Sequence, residues 1–176
     1  MTLEQHIKEN IADVHDFPKP GIIYKDITPI FQNPAVSNEI LEVLVAKFSN
    51  QNIEGVLGLE SRGFLFGFPL AMRLGVPFIL VRKKGKLPRE VYTVTYDLEY
   101  GSAAIEVHKD AITSGQRILV HDDVLATGGT AHAAAELVEM AGGQVVGFSF
   151  LLELSFLNGR ERLSKFSDQL ITFAAY

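Results

Sequence analysis

The sequence contains no cysteine, which excludes disulfides and thiolate metal centres outright. It also lacks any apolar run approaching the roughly 20 residues of a membrane-spanning helix, the longest being residues 64–72. Its first residues, MTLEQHIKENIADVHDF, mix charged with apolar side chains and offer no continuous apolar segment of the kind a secretion signal needs. Positive charge is in deficit: 16 Lys and Arg stand against 21 Asp and Glu, for a formal charge of −5. That balance argues against a nucleic-acid-binding surface, while leaving room for a local basic patch. These absences point to a soluble cytoplasmic protein with neither nucleic acid nor membrane as partner.

What is present is an ordinary globular composition, 47% hydrophobic and 21% charged over 176 residues. That is enough for one well-buried domain and short for two. Leu3, Ile7, Ile11 and Val14 recur at spacings of three and four, which predicts an amphipathic helix over residues 3–14. Residues 17–29 hold Pro18, Pro20, Gly21 and Pro29 and read as an ordered loop or short extended pieces. Pro34 opens a helix to about residue 48. Residues 53–59 and 77–81 are short apolar strands around a helix at 62–74. Two β-rich runs, 91–96 and 103–107, flank Glu99-Tyr100-Gly101 and suggest a hairpin-like excursion. Strands at 116–124, 144–152 and 170–174 alternate with an Ala-rich helix at 129–141 and a short one at 158–165. The alternation predicts an α/β fold, a mostly parallel central sheet flanked by helices, in a single domain spanning residues 1–176. Ligands of such sheets bind at the carboxyl ends of strands, which singles out residues 60–62, 82–89 and 122–130.

The last of these is the most informative. Ile118-Leu119-Val120-His121 is a buried-type strand, Asp122-Asp123 interrupts it with two carboxylates, and Ala126-Thr127-Gly128-Gly129-Thr130 leads into the Ala-rich helix. Glycines let the backbone approach an anion closely, and the free N–H groups of a helix start point at it. Thr127 and Thr130 add hydroxyl donors, and each such contact contributes about 0.3–2 kcal/mol toward holding a phosphate monoester. The two aspartates are placed to accept the vicinal hydroxyls of an attached ribose. A bare Gly-Gly-Thr is usually only a turn, and an acidic pair often only a cap. Strand, acidic pair and Thr-Gly-Gly-Thr turn together meet every context a phosphate site requires. No Walker A loop and no Gly-x-Gly-x-x-Gly fingerprint exists elsewhere in the chain.

The segment from Val120 to Thr130 resembles the phosphoribosyl diphosphate (PRPP) motif of type I phosphoribosyltransferases. Its Ala-Thr-Gly-Gly-Thr form is similar to that of the adenine phosphoribosyltransferase family, and the likeness runs from about residue 17 to 162. One departure is His121, where an aliphatic residue is usual; on a strand it faces opposite to Asp122 and reads as a core-edge histidine. Phe17-Pro18-Lys19-Pro20-Gly21-Ile22-Ile23-Tyr24-Lys25-Asp26-Ile27 is by composition equally well a structural loop. The resemblance makes it part of a hood, about residues 1–30, over a core of about 31–176. There the backbone of Ile23 and Lys25 bonds the base edge and the Tyr24 ring packs against it. A backbone C=O beside a backbone N–H complements adenine, whereas a 6-oxopurine would leave buried polar groups unpaired.

The resemblance also makes Gly58-Leu59-Glu60-Ser61-Arg62-Gly63 a diphosphate loop, with a cis Glu60–Ser61 peptide and with Ser61 and Arg62 on phosphate oxygens. Arg62 is otherwise a surface residue at a helix start, where the dipole disfavours it unless an anion is near. Arg82, Lys83, Lys84, Lys86 and Arg89 surround Gly85 and Pro88, the pattern of a solvated basic turn. In an otherwise acidic chain they equally suit an anion, with Lys83 and Lys86 on diphosphate and residues about 83–101 a mobile loop that closes over it. Glu99 and Tyr100 match the family's Leu-Glu-Tyr-Gly segment, which implies Glu99 acting on a base nitrogen, Tyr100 covering the site, and Arg62 assisting departure of diphosphate. The implied reaction joins adenine to PRPP with Mg²⁺ carried mainly by PRPP and no protein ligand assigned to the metal; a homodimer is implied as well. Two other readings remain open, a transferase for xanthine or hypoxanthine and a PRPP-binding regulator without chemistry. A regulator of that kind appends a DNA-binding domain, and only about 16 residues precede the Phe17 segment.

Overall fold

The computed structural model describes residues 2–97 and 101–176. Thr2 opens the first helix with a capping box: its hydroxyl accepts from the Gln5 amide at 3.3 Å, and the Gln5 side chain accepts from the Thr2 amide at 2.8 Å. This helix, α1 (Leu3–Glu9), stops well short of the 3–14 span its apolar spacing predicts. The chain turns at Asn10, and β1 (Ala12–His15) pairs antiparallel with β2 (Ile23–Asp26). The ladder satisfies the backbone that a longer helix would have used, and Val14 is left exposed at 38%. Between the two strands Asp16 accepts the Gly21 amide at 2.7 Å, and the Phe17–Pro18 peptide is cis.

A short helix, α2 (Thr28–Gln32), follows where the sequence suggests only loop. Pro29 is tolerated in its first turn, and Ile30 is fully buried. Asn33 caps α3 (Pro34–Phe48), which buries Val36, Ile40, Leu44 and Phe48. The remaining elements are β3 (Gly55–Leu59), α4 (Gly63–Leu74), β4 (Phe78–Lys83), β5 (Val91–Asp97), β6 (Ser102–His108), β7 (Arg117–Leu125), α5 (Gly129–Met140), β8 (Gln144–Glu153), α6 (Gly159–Leu163) and β9 (Leu170–Ala175).

Seven strands among the described residues form one sheet in the order β5-β6-β4-β3-β7-β8-β9. The five from β4 to β9 run parallel, and β5 and β6 add an antiparallel hairpin at the edge. Alternate residues of the central strands serve opposite faces. Leu57, Ile118 and Val120 pack in one cluster with α5, whereas Val56 and Leu119 join the side chains of α1, α3 and α4 in the other. Helices thus cover both faces of the sheet. The connection from β3 moves outward to β4, while β7, on the other flank of β3, starts the outward run to β8 and β9. The ends of β3 and β7 therefore meet at a topological switch point, where ligands of open α/β sheets bind.

Candidate active site

Strand β7 carries the acidic pair inside its ladder rather than at a break: pairing with β8 continues through Asp122 to Leu125. Pleating sends the two carboxylates to different environments. Asp123 is buried, and its amide donates to Asp122 Oδ1 at 2.9 Å. Burial, and next the neighbouring charge of Asp123, push the Asp122 carboxyl well above the usual carboxylate range. His121 is buried completely, with Nδ1 2.7 Å from Ser149 Oγ.

After β7 the chain wraps a cavity of about 60 Å³ lined by Asp122, residues 124–131 and Phe150. Gly128, at φ 75°, is the N-cap of α5, and no side chain caps that helix. Apart from a long bond of 3.5 Å from the Gly129 amide to Thr127 Oγ1, the amides of its first turn are left to the cavity. Thr130 Oγ1 donates to the Tyr96 hydroxyl at 3.2 Å, so β5 reaches the loop from the edge hairpin. The cavity has the size, donors and dipole for a phosphate group.

Across the switch point, the Glu60–Ser61 peptide after β3 is cis. Arg62 stands at the start of α4 and donates a short hydrogen bond from Nε to Asp123 Oδ2, forming an ion pair. That carboxylate supplies the anion which a cation at a helix start needs. Burial of the guanidinium works against its charge; the Asp123 hydrogen bond and charge, with smaller contributions from Tyr24 and Asp122, outweigh it and raise its pKa. Arg62 thereby ties the turn between β3 and α4 to the acidic pair, 61 positions away in sequence.

The basic turn after β4 is held by two carboxylates. Glu60 accepts the Lys83 amide at 2.8 Å and Arg82 Nη2 at 3.3 Å, and these bonds, the Lys83 amide first, hold its pKa below the ordinary value. Buried Glu106 of β6 accepts the Gly85 amide at 2.8 Å and the Thr93 hydroxyl at 3.2 Å. Lys83 and Lys86 remain exposed, with no ion pair among the described residues. In the N-terminal hairpin of β1 and β2, Tyr24 packs edge-on against Phe17 at 5.3 Å, Ile23 is half exposed, and Lys25 donates to Asp13 at 2.6 Å while lying 4.2 Å from the Tyr176 ring centroid. The roles assigned to Glu99 and Tyr100 fall on residues outside those described.

Asp122, Asp123, Arg62 and residues 126–130 thus converge, with Tyr24 among the charges acting on Arg62. Lys83 joins them through Glu60, and Lys86 is tied to the same turn by its amide donating to the Lys83 carbonyl at 3.2 Å and by its carbonyl accepting from Arg82 at 3.3 Å. Tyr96 and Glu106 were not singled out by sequence. Their only trace there is a place in the alternating runs of the hairpin.

The strand, acidic pair, glycine loop and helix start at a switch point define a phosphoribosyl-binding fold, and the family model for the phosphoribosyl transferase domain matches residues 26–166. An adenine phosphoribosyltransferase of Roseiflexus sp. (strain RS-1) is 52% identical over 92% of this chain and 94% of its own. The solved adenine phosphoribosyltransferase of Thermoanaerobacter pseudethanolicus superposes with a TM-score of 0.94 at 46% identity, covering 99% of this chain and 100% of that one. That of Saccharomyces cerevisiae, solved with adenine and an imino-altritol bisphosphate, has a TM-score of 0.90 at 41% identity, covering 97% and 98%. The chain belongs to the adenine phosphoribosyltransferase family.

Proposed function

We propose that the chain transfers the phosphoribosyl group of PRPP to adenine, giving AMP and diphosphate in purine salvage. The observation that carries this reading is that Asp122 lines the cavity of residues 124–131 while its neighbour Asp123 pairs with Arg62 from the β3–α4 turn. Residues 126–130 hold the 5′-phosphate, and the two aspartates accept the ribose hydroxyls. The ribose hydroxyls compete for the Asp123 carboxylate, which frees Arg62 to turn toward diphosphate beside Ser61, Lys83 and Lys86. Adenine lies under the hood, bonded by the backbone of Ile23 and Lys25 and covered by Tyr24. Glu99 steadies a base nitrogen, and Tyr100 closes the site as residues about 83–101 fold over it. No enzyme nucleophile is needed. Positioning and charge stabilisation at the developing ribose cation supply the rate.

Among the described residues, no three His, Asp or Glu stand close enough together to hold a metal ion. The donors present fit a cation that arrives on substrate, because Mg²⁺ keeps several waters and binds through phosphates with few carboxylates. Bound in that way, it neutralises charge on the departing diphosphate. The exposed stripe of Leu65, Phe68 and Met72 on α4, with Leu80 of β4, supports a homodimer. No described helix is long and apolar enough to cross a membrane, consistent with a cytoplasmic enzyme.

Diphosphate release with PRPP and each purine in turn tests the assignment. Adenine should exceed guanine, hypoxanthine and xanthine by at least about 100-fold in kcat/KM, as expected where the wrong base leaves buried polar groups unpaired. Faster turnover of a 6-oxopurine would overturn the choice of base, and PRPP binding without diphosphate release would reduce the protein to a binding module.

A further inference from the structure

Glycines bring α6 against the phosphate loop. A Cβ on Gly159 would lie 2.3 Å from the Ala126 carbonyl oxygen and 3.1 Å from the Gly128 nitrogen. A Cβ on Gly128 would lie 2.7 Å from the Gly159 carbonyl oxygen. Neither approach is open to any other residue. Arg162, three residues along α6, is carried by this contact to the first turn of α5. Its Nη1 is 3.2 Å from the point where a Gly129 Cβ would sit, and Thr127 Oγ1 is 3.6 Å from the same point.

That is an unfavourable place for an unpaired cation, because the start of a helix is itself positive. Other arginines of this chain have found carboxylates: Arg62 pairs with Asp123, Arg73 with Glu42, Arg89 with Asp110, and Arg160 with Glu153. Arg162, exposed and two positions along α6 from Arg160, makes no side-chain hydrogen bond or ion pair among the described residues. Its charge and that of Lys165 also bear on His132 of α5, whose pKa is lowered first by burial and then by Lys165, with Arg162 adding to it. Two positive features, a helix start and the Arg162 guanidinium, therefore meet at one loop, and no ion pair to Arg162 balances them among the described residues.

Resting on the phosphoribosyl-transfer reading, we infer that Arg162 is a binding residue for the 5′-phosphate, closing the loop of residues 126–130 from the α6 side. A phosphate monoester near neutral pH carries close to two negative charges, more than the neutral amides and hydroxyls of the loop balance. A guanidinium supplies both charge and a two-pronged donor. The residue is legible only in the fold, since 32 positions separate it from Thr130.

Calorimetric titration of Arg162→Ala and Arg162→Lys with AMP, ribose 5-phosphate and adenosine decides the matter. Removing the guanidinium should weaken AMP and ribose 5-phosphate about 10- to 100-fold, the range of one charge-assisted hydrogen-bonded contact, and leave adenosine within about twofold. Lysine should restore part of the loss. Thermal stability should stay unchanged, because the side chain has no partner to lose. Ribose 5-phosphate binding at wild-type strength in Arg162→Ala overturns the inference, as does an equal loss for adenosine. Failure of the wild type to release diphosphate with any purine would sink the enzymatic reading separately, and the ribose 5-phosphate comparison would still decide the role of Arg162.

Discussion

The ring of His121 lies wholly inside the protein, with Nδ1 bonded to Ser149 and Nε2 without a hydrogen-bond partner among the described residues. Burial lowers its pKa from 6.5 to about 4, against smaller opposing effects of the Asp123 charge and the Ser149 bond. The sign of the consequence follows from which state takes up the proton. Between pH 6.5 and 4 the unfolded chain protonates this residue and the folded one does not, so stability falls as pH falls through that window. A shift of this size corresponds to about 3 kcal/mol by pH 4. Glutamine keeps a donor for Ser149 and does not titrate. In urea denaturation, His121→Gln should therefore lose about 3 kcal/mol less than wild type between pH 7 and pH 4. Parallel stability curves for the two proteins would remove His121 from the acid response. Asp122, whose raised pKa gives the opposite slope, is common to both proteins and cancels in the comparison.

At the scale of elements, the edge hairpin and the basic turn are one unit because β6 places Glu106 beneath both. Its carboxylate receives Gly85 from the turn and Thr93 from β5. Glu106→Ala leaves the Gly85 amide unclaimed, at a cost of about 1–3 kcal/mol in stability. It should also raise KM for PRPP by about tenfold through the loosened turn, while ribose 5-phosphate, which lacks the diphosphate, binds as before. An equal loss for both ligands would show a general collapse rather than a displaced turn. Sequence carries little trace of this device, since a Glu in an alternating run looks like any solvent-facing residue and its partner lies 21 positions away. Elements whose forces are local were legible: the apolar strands, α3 with its proline start, and the glycine entry to α5. Those decided by distant pairing were not. Ile11 and Val14 keep helical spacing, yet the ladder to β2 claims their segment. Likewise, Asp122 and Asp123 resemble a break until β8 extends the strand through them.

For the whole molecule, alternation of strands and helices foretells a parallel sheet but not its order, and the order creates the site. Arg62 meets Asp123 only because β7 lies beside β3. The same assembly leaves one face uncovered. On α4, Leu65, Phe68 and Met72 are 50%, 53% and 67% exposed, at spacings of three and four, and Leu80 of the adjoining β4 is 43% exposed. Single apolar residues on a surface need no explanation, whereas a contiguous stripe on one helix is the pattern of a subunit contact. A second copy related by a twofold axis would meet the same stripe with itself. Met72, the most exposed of the four, can be changed with little effect on the fold. A glutamate there would carry its charge into the apolar contact, costing about 3 kcal/mol per dimer and weakening association by roughly 100-fold. Sedimentation velocity should find the wild type dimeric and Met72→Glu monomeric at the same concentration, with closely similar melting of the monomer fold. A wild-type chain that sediments as a monomer would leave the stripe without this role, and a variant that stays dimeric would place the contact on another face.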